Sequence, residues 1–172
     1  MQTPEQSKQR MFFDLYIMTE NTFSPNECQM IIDGKIKKDD IIKKLHKALT
    51  EASNNSNWNY VIEYAEDPKV VEGSYDWKID KEFKPGKDGT KRLISCYMNL
   101  THPIEYDYGD FMVRESFGSF KQGVANFYPS YYSNRVSKLD RGKKYGLVVH
   151  YRGKGTRGKP QIYNEKFVVK QT

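Results

Sequence analysis

The strongest constraint on the fold is a two-residue alternation that begins at Trp58 and recurs toward the C-terminus. Large apolar side chains alternate with other residues from Trp58 to Tyr64, which is the period of a β-strand with one buried face. Further strand-like runs lie at about 68–72, 74–80, 92–100, 109–115, 123–128, 133–139, 143–152 and 164–170. Turn signals such as Pro85-Gly86 and Asp88-Gly89 separate them. Many short strands broken by Gly and Pro predict a sandwich or jelly roll.

Two helices are predicted before this strand series. Ser24 is followed by a proline and then by Glu27, the pattern of an N-cap with a capping box, so a helix should cover 25–32 and end at Gly34. A second helix is predicted over 39–52, where apolar residues recur at helical spacing. Two helices ahead of a sheet would cover one of its faces. The prediction is therefore a single, mainly β domain with N-terminal helices, an α+β arrangement.

Composition excludes several classes of protein. The chain has 172 residues, a formal charge of +6 and 14% aromatic residues, and it contains no apolar run long enough to span a bilayer. Its first residues, 1–10, are polar and resemble no secretory signal, so we expect a cytoplasmic protein in the producing cell with no membrane partner. Cys28 and Cys96 are too few for a disulfide scaffold, and we expect both to be small buried residues.

The basic residues concentrate in two places. One face of the second helix carries Lys43, Lys44 and Lys47, which we interpret as solvated surface, with an anion-binding stripe as the alternative. The segment 152–160 is rich in Gly, Lys and Arg and contains G-x-G-x-x-G, but Pro160 and a β-type run follow it. A dinucleotide site needs that motif to begin a helix. We therefore predict a basic loop, with a contact surface for an acidic partner or a phosphate backbone as the alternative.

The three histidines give no metal-ligand spacing. His46 lies at the edge of the amphipathic helix and is expected to be half-exposed, and His102, beside Pro103, is expected in a loop. His150 lies in a predicted strand and should point into the interior of the sheet. No local signature of a nucleophilic catalytic site is present.

Four segments occur in an order that resembles a known family. They are Tyr75–Asp80, Arg92–Leu100, Gly123–Ser130 and 134–145. Together they resemble the prolyl-hydroxylase-like iron(II)/2-oxoglutarate dioxygenases, especially small bacterial and phage forms. The resemblance implies a double-stranded β-helix of the jelly-roll or cupin-like type. Its core would cover 58–153, with an N-terminal strand and supporting helices in 1–57 and a basic loop and C-terminal strand in 154–172.

The resemblance also locates a metal site that this chain has altered. The family binds iron with His-x-Asp and a second histidine, and the matching positions hold Lys78, Asp80 and Asn134. A protonated ammonium cannot ligate Fe(II), and an amide is a poor ligand. Lys78 and Asp80 are two residues apart on one predicted strand and can pair. We therefore expect no catalytic residue, metal or cofactor, and hypothesise that the Lys78 ammonium replaces the metal cation.

Lys144 is the other position that the resemblance singles out. It lies ten residues after Asn134, where the family carries a basic residue for the distal carboxylate of 2-oxoglutarate. Lys144 is thus a candidate carboxylate-binding residue, and internal pairing with an acid is the alternative. A different alignment would use His102 or His150 for iron, although neither is followed two residues later by Asp or Glu.

Three functions remain open at this level. The first is a catalytically inactive dioxygenase-fold protein that serves as a structural or protein-binding module, with a phage virion as its setting. The second is an active iron(II)/2-oxoglutarate protein hydroxylase with an atypical site, in which Asp80 would ligate iron and Lys144 would hold 2-oxoglutarate. The third is a module that contacts nucleic acid weakly through 152–160 and the lysine face of the second helix.

Overall fold

The computed structural model describes residues 17–19, 22–54, 60–82 and 84–156. Its two α-helices are α1 (Pro25–Ile32) and α2 (Lys38–Asn54). The strands of the N-terminal half are β1 (Ile17–Thr19), β2 (Tyr60–Val61), β3 (Tyr64–Ala65), β4 (Lys69–Glu72), β5 (Tyr75–Ile79) and β6 (Lys91–Asn99). The later strands are β7 (Tyr106–Tyr108), β8 (Phe111–Val113), β9 (Ser116–Phe117), β10 (Ala125–Pro129), β11 (Ser133–Val136), β12 (Leu139–Gly142), β13 (Tyr145–Gly153) and β14 (Gly155–Thr156).

Both helices lie where the sequence predicts them. The α1 helix begins at the capping box: Ser24 Oγ accepts from the Glu27 backbone N–H at 3.1 Å, and Glu27 Oε1 accepts from the Ser24 N–H at 3.0 Å. The α2 helix is slightly longer than the predicted 39–52. Its Asp39 and Asp40 lie in the first turn, where negative charge interacts favourably with the helix dipole. No helix in the described part of the chain is long and apolar enough to cross a bilayer.

The strands form two main antiparallel sheets. The larger sheet has the order β1-β10-β6-β13-β3, and β4 also pairs with β13. The smaller sheet has the order β5-β11-β8-β9. The pairs β12-β7 and β14-β2 form two separate two-stranded sheets. Two antiparallel sheets preceded by two helices agree with the predicted jelly-roll class.

Each face of the larger sheet packs against a different layer. The helices cover one face, as predicted, and contribute Ile42, Leu45 and Leu49 to a core shared with strand residues such as Phe127. Cys28 and Cys96 are fully buried in this layer, as expected. The other face packs against the smaller sheet in a second core. Its members are Tyr97, Phe111, Val113, Tyr128, Tyr132, Val136 and Val148.

Three predicted strands are shortened or divided in the structure. The run predicted at 109–115 contains one shorter strand, β8, because the chain turns at Tyr108 and at Arg114, whose φ angles are 65° and 54°. These left-handed conformations interrupt pairing and separate β8 from β7 and β9. The run predicted at 133–139 divides into β11 and the start of β12, and the described part of the first alternating run divides into β2 and β3. Periodicity alone could not reveal these breaks.

The predicted basic loop also begins too early. Arg152 and Gly153 belong to β13, and the Arg152 side chain is buried against Glu66 and Glu82. Distant acidic residues therefore neutralise a cation that appears surface-exposed in the local sequence. Gly155–Thr156 forms β14, while 157–160 and the predicted strand 164–170 lie outside the described residues.

Candidate functional site

A bulge in β5 gathers polar side chains at one edge of the second core. Asn134 of β11 lies opposite Lys78, but Val136 lies opposite Tyr75, so β5 contains one extra residue between these pairs. The extra residue shifts the alternation and brings Tyr75 to the side of the strand that carries Lys78. Asp80, immediately after the strand, is on the same side and is buried. The structure thus brings Lys78, Asp80 and Asn134 together.

The Asp80 carboxylate is surrounded by a cation and by hydrogen-bond donors. Lys78 Nζ lies 3.6 Å from Asp80 Oδ1. The Tyr128 hydroxyl donates to Asp80 Oδ2 at 3.1 Å, and Asn134 Nδ2 approaches the same oxygen at 3.4 Å. The protein therefore supplies this buried carboxylate with a counter-charge near Oδ1 and with two donors to Oδ2.

Two tyrosines complete the cluster, and sequence reasoning missed both. The Tyr75 hydroxyl donates to Asn134 Oδ1 at 2.7 Å, and Lys78 Nζ lies 4.4 Å from the centre of the Tyr75 ring. Burial raises the pKa of Tyr75 and of Tyr128 above the ordinary range, so both act as neutral donors. Simple alternation places Tyr75 on the opposite face from Lys78, and the bulge that reverses this leaves no signal in the sequence.

The cluster does not fit an iron(II) ion. A metal ligand must direct a lone pair at the ion, but Lys78 presents an ammonium. The oxygen of Asn134 accepts the Tyr75 hydroxyl, and its NH₂ group points toward Asp80. Of these three side chains, Asp80 alone has the ligand chemistry of the iron site that the family resemblance implies.

Lys144 is buried in a mainly neutral environment. Its Nζ donates to the Gly109 carbonyl oxygen at 2.5 Å and lies 5.4 Å from the ring centres of both Tyr97 and Tyr106. Burial lowers the pKa of Lys144 to about 8, and the more distant charge of Asp110 opposes this shift. The contacts of the ammonium are thus a backbone carbonyl and two aromatic rings. The sequence analysis had predicted either carboxylate binding or internal pairing with an acid.

The Tyr97 ring occupies space beside Lys144. A Cβ added at Gly146 would lie 2.5 Å from this ring, so Tyr97 packs directly on the β13 backbone. On its other side the ring stacks on Phe111 with 4.4 Å between centroids. The interior next to Lys144 is therefore filled by aromatic side chains.

The histidines have separate environments. His150 is buried, as predicted, and its Nδ1 shares a 3.0 Å hydrogen bond with Ser95 Oγ, which is 2.9 Å from Ser130 Oγ. Burial lowers the pKa of His150. His102 is exposed and its Nδ1 accepts from the Ile104 N–H at 3.1 Å, capping a short 3₁₀ turn. His46 is half-exposed on α2.

A second charged cluster surrounds Arg152, and the sequence did not reveal it. Arg152 Nη1 donates to Glu66 Oε2 at 3.2 Å and to Glu82 Oε1 at 2.9 Å. Its Nε and Nη2 donate to the hydroxyl and the carbonyl oxygen of Thr90 at 3.0 and 2.9 Å. Arg92 adds two bonds to Glu66. The network ties both ends of the β5–β6 connection to β13.

The architecture matches known enzymes. The viral collagen prolyl hydroxylase of Paramecium bursaria Chlorella virus-1, solved as its 2OG complex, aligns with a TM-score of 0.65 over 81% of this chain and 96% of that chain, at 17% identity. The chain has the prolyl 4-hydroxylase fold. Comparison of the sequence itself finds no matching family model and no matching curated protein.

Two further structures share this fold. A prolyl-4-hydroxylase from Pseudomonas putida aligns with a TM-score of 0.61 at 11% identity, over 87% of this chain and 92% of that chain. A prolyl hydroxylase from Trichoplax adhaerens, solved with a hypoxia inducible factor peptide fragment, gives 0.57 at 13% identity, over 88% and 93%. At these identities the likeness establishes the fold, and the activity must be argued from the site.

Proposed function

We propose that this chain is a non-catalytic dioxygenase-fold protein that serves as a structural or protein-binding module. The observation that carries the proposal is the Lys78 ammonium beside the buried Asp80 carboxylate. In this account Lys78 supplies the positive charge that a metal ion would otherwise bring to the site.

The energetics of burial support this interpretation. An isolated buried carboxylate is strongly unfavourable unless it gains a counter-charge and hydrogen bonds. Asp80 has the ammonium of Lys78 and the donors of Tyr128 and Asn134. An incoming metal ion would have to displace that ammonium and reorient the Asn134 amide. Protein groups therefore already supply a counter-charge and hydrogen bonds at the position that a metal ion would take.

The candidate 2-oxoglutarate residue supports the same proposal. Lys144 already donates to the Gly109 carbonyl oxygen, and the Tyr97 ring packs beside it. A bound carboxylate would have to replace that carbonyl and move the ring from its contact with Gly146. We accordingly propose that neither iron(II) nor 2-oxoglutarate is a cofactor of this protein.

Metal-dependent thermal stability tests the proposal. A ligand that binds only the folded state stabilises it by about 2.7 kcal/mol at 100 times its Kd. We expect Mn(II), a redox-inert substitute for Fe(II), to leave the melting temperature of the wild-type chain unchanged with or without 2-oxoglutarate. A clear rise that Asp80→Ala abolishes would support the active hydroxylase instead.

Restoring the two histidines provides the complementary test. The double variant Lys78→His/Asn134→His places imidazoles beside Asp80, and we expect it to gain a metal-dependent rise in melting temperature. The matched control is Lys81→His/Lys138→His, which adds two histidines at exposed positions and should gain none. Failure of the first variant to bind metal would mean that these positions are not a former metal site.

We propose a phage virion as the setting of this module, because the resemblance includes small phage forms. Detection of the chain by mass spectrometry in purified particles of a phage that encodes it would support this setting. Its presence in the infected cell but not in the particles would contradict it.

A further inference from the structure

Four lysines gather where the connection between β5 and β6 meets the end of β13. They are Lys84, Lys87, Lys91 and Lys154, which we call the lysine patch. Lys91 is half-buried and the other three are exposed. Pairing of β6 with β13 places Lys91 opposite Gly153, the residue before Lys154. The Lys154 Cε lies 3.9 Å from the position that a Cβ would take at Gly89, so this side chain reaches the connection.

The four ammonium groups of the lysine patch differ from the arginines beside them. In the part of the chain that the structure describes, none of the four forms a salt bridge. Arg92 and Arg152, in contrast, are both held by the carboxylates of Glu66 and Glu82. The fold therefore neutralises the arginines and leaves the lysines available to a partner.

The acidic side chains of the same segments are engaged within the chain. Asp88 Oδ1 accepts from the backbone N–H and the hydroxyl of Thr90 at 2.9 and 2.6 Å, and Asp88 Oδ2 accepts from the Tyr64 hydroxyl at 2.5 Å. Glu63 has a buried Oε2. Because the two remaining glutamates are held by arginines, the charge exposed here is mainly positive.

The basic positions that the sequence singles out are less suited to an anionic partner. On the lysine face of α2, Lys44 Nζ lies 2.6 Å from Glu27 Oε2, and the same helix exposes Asp39 and Asp40. In the predicted basic segment 152–160 the first cation is the buried Arg152 described above. Lys154 is the described cation of that segment that reaches solvent, and it belongs to the lysine patch.

The composition of the lysine patch favours the phosphates of a nucleic acid. Protein interfaces are depleted in lysine, whereas interfaces with nucleic acid are strongly positive and polar. Membrane-surface elements add apolar side chains to their lysines, and single-stranded nucleic acid needs aromatic rings on which bases stack. None of the exposed large apolar side chains of the described residues lies in the β5–β6 connection or beside Lys154. A duplex, which presents phosphates and hides its bases, fits this surface best.

We infer that the lysine patch binds the phosphate backbone of double-stranded nucleic acid. The ammonium groups contact phosphates as point charges, and binding is electrostatic and independent of base sequence. This activity goes beyond the proposed protein-binding function. It uses residues other than Lys78, Asp80 and Asn134, so it holds whether or not that site binds a metal.

Fluorescence anisotropy of a labelled DNA duplex of about 20 base pairs, titrated with the full-length chain at about 50 to 200 mM salt, tests the inference. Four phosphate contacts predict a slope of about −3.6 for the logarithm of the binding constant against that of the salt concentration. Lys87→Gln/Lys154→Gln should reduce the slope to about −1.8 and weaken binding at least about tenfold at about 100 mM salt. The matched control Lys43→Gln/Lys47→Gln removes the same charge from exposed positions on α2 and should change neither quantity.

Several results would overturn the inference. Absence of duplex binding at about 50 mM salt would do so, and so would equal losses in the two double variants, which would show a response to net charge alone. Tighter binding of the unpaired strand, of a polyglutamate peptide or of vesicles containing phosphatidylserine would assign the lysine patch to a different partner. Metal titration is a separate measurement: metal binding by the wild type refutes the non-catalytic account, whereas the duplex titration reports on the lysine patch.

Discussion

Replacing Lys78 with Met removes the ammonium that faces Asp80 and keeps an aliphatic side chain of similar length. The remaining contacts of Asp80, from Tyr128 and Asn134, supply hydrogen bonds but no positive charge. A buried carboxylate that loses its counter-charge destabilises the folded state. We therefore expect Lys78→Met to lower the free energy of unfolding.

The geometry bounds the size of this effect. At the 3.6 Å separation of Lys78 Nζ and Asp80 Oδ1, Coulomb attraction is about 5 kcal/mol at an effective dielectric of 20 and about 1 kcal/mol in water. The Lys78 side chain is 46% exposed, so solvent screens much of the attraction. A net loss of about 1–2 kcal/mol follows, which lowers the melting temperature of a domain of this size by roughly 2–8 °C.

Thermal and urea unfolding measure the loss, with Lys81→Met as the matched control because Lys81 is exposed nearby. The control should change stability by less than about 0.5 kcal/mol. A double-mutant cycle with Asp80→Asn isolates the pair, and we expect a coupling of about 1 kcal/mol. If Lys78→Met is as stable as the wild type, or if the two changes are additive, the ammonium does not neutralise Asp80.

Three further predictions follow from other buried groups. Arg152→Met removes the buried cation that bridges Glu66 and Glu82 and leaves Arg92 as their remaining cation. We expect urea unfolding to show a loss of about 1.5–3 kcal/mol in the free energy of unfolding, against less than about 1 kcal/mol for the exposed Arg141→Met. Equal losses would contradict the burial argument. Burial lowers the pKa of His150 to about 4, so between about pH 4 and 6.5 the unfolded chain binds more protons, and the free energy of unfolding should fall as the pH falls. An unchanged slope in His150→Gln would refute this. Gly146→Ala forces a Cβ against the Tyr97 ring and should lower the free energy of unfolding by about 1–3 kcal/mol. An unchanged melting temperature would show that the ring can move away without cost.

Local signals predicted the helices and most of the strand order. The capping box at Ser24 and Glu27 defined α1 because a helix terminus depends on groups within one turn. The turns at Tyr108 and Arg114 escaped notice because nothing in the periodicity marks a non-glycine residue in a left-handed conformation. Pairing across the sheet, which is non-local, determines where those strands end.

The candidate site was only partly predictable for the same reason. The order of segments identified Lys78, Asp80 and Asn134, and the structure brings them into contact. The roles of Tyr75 and Tyr128 depend on a bulge and on burial. Neither property can be read from the local sequence, so a residue pattern cannot show which groups surround the Asp80 carboxylate.

Calorimetric titration of the wild-type chain with Mn(II), in the presence and absence of 2-oxoglutarate, tests the central claim most directly. If the Lys78 ammonium occupies the place of the metal, the titration shows no saturable heat, whereas Lys78→His/Asn134→His shows one-to-one binding. Stoichiometric binding by the wild type that disappears in Asp80→Ala would contradict the account.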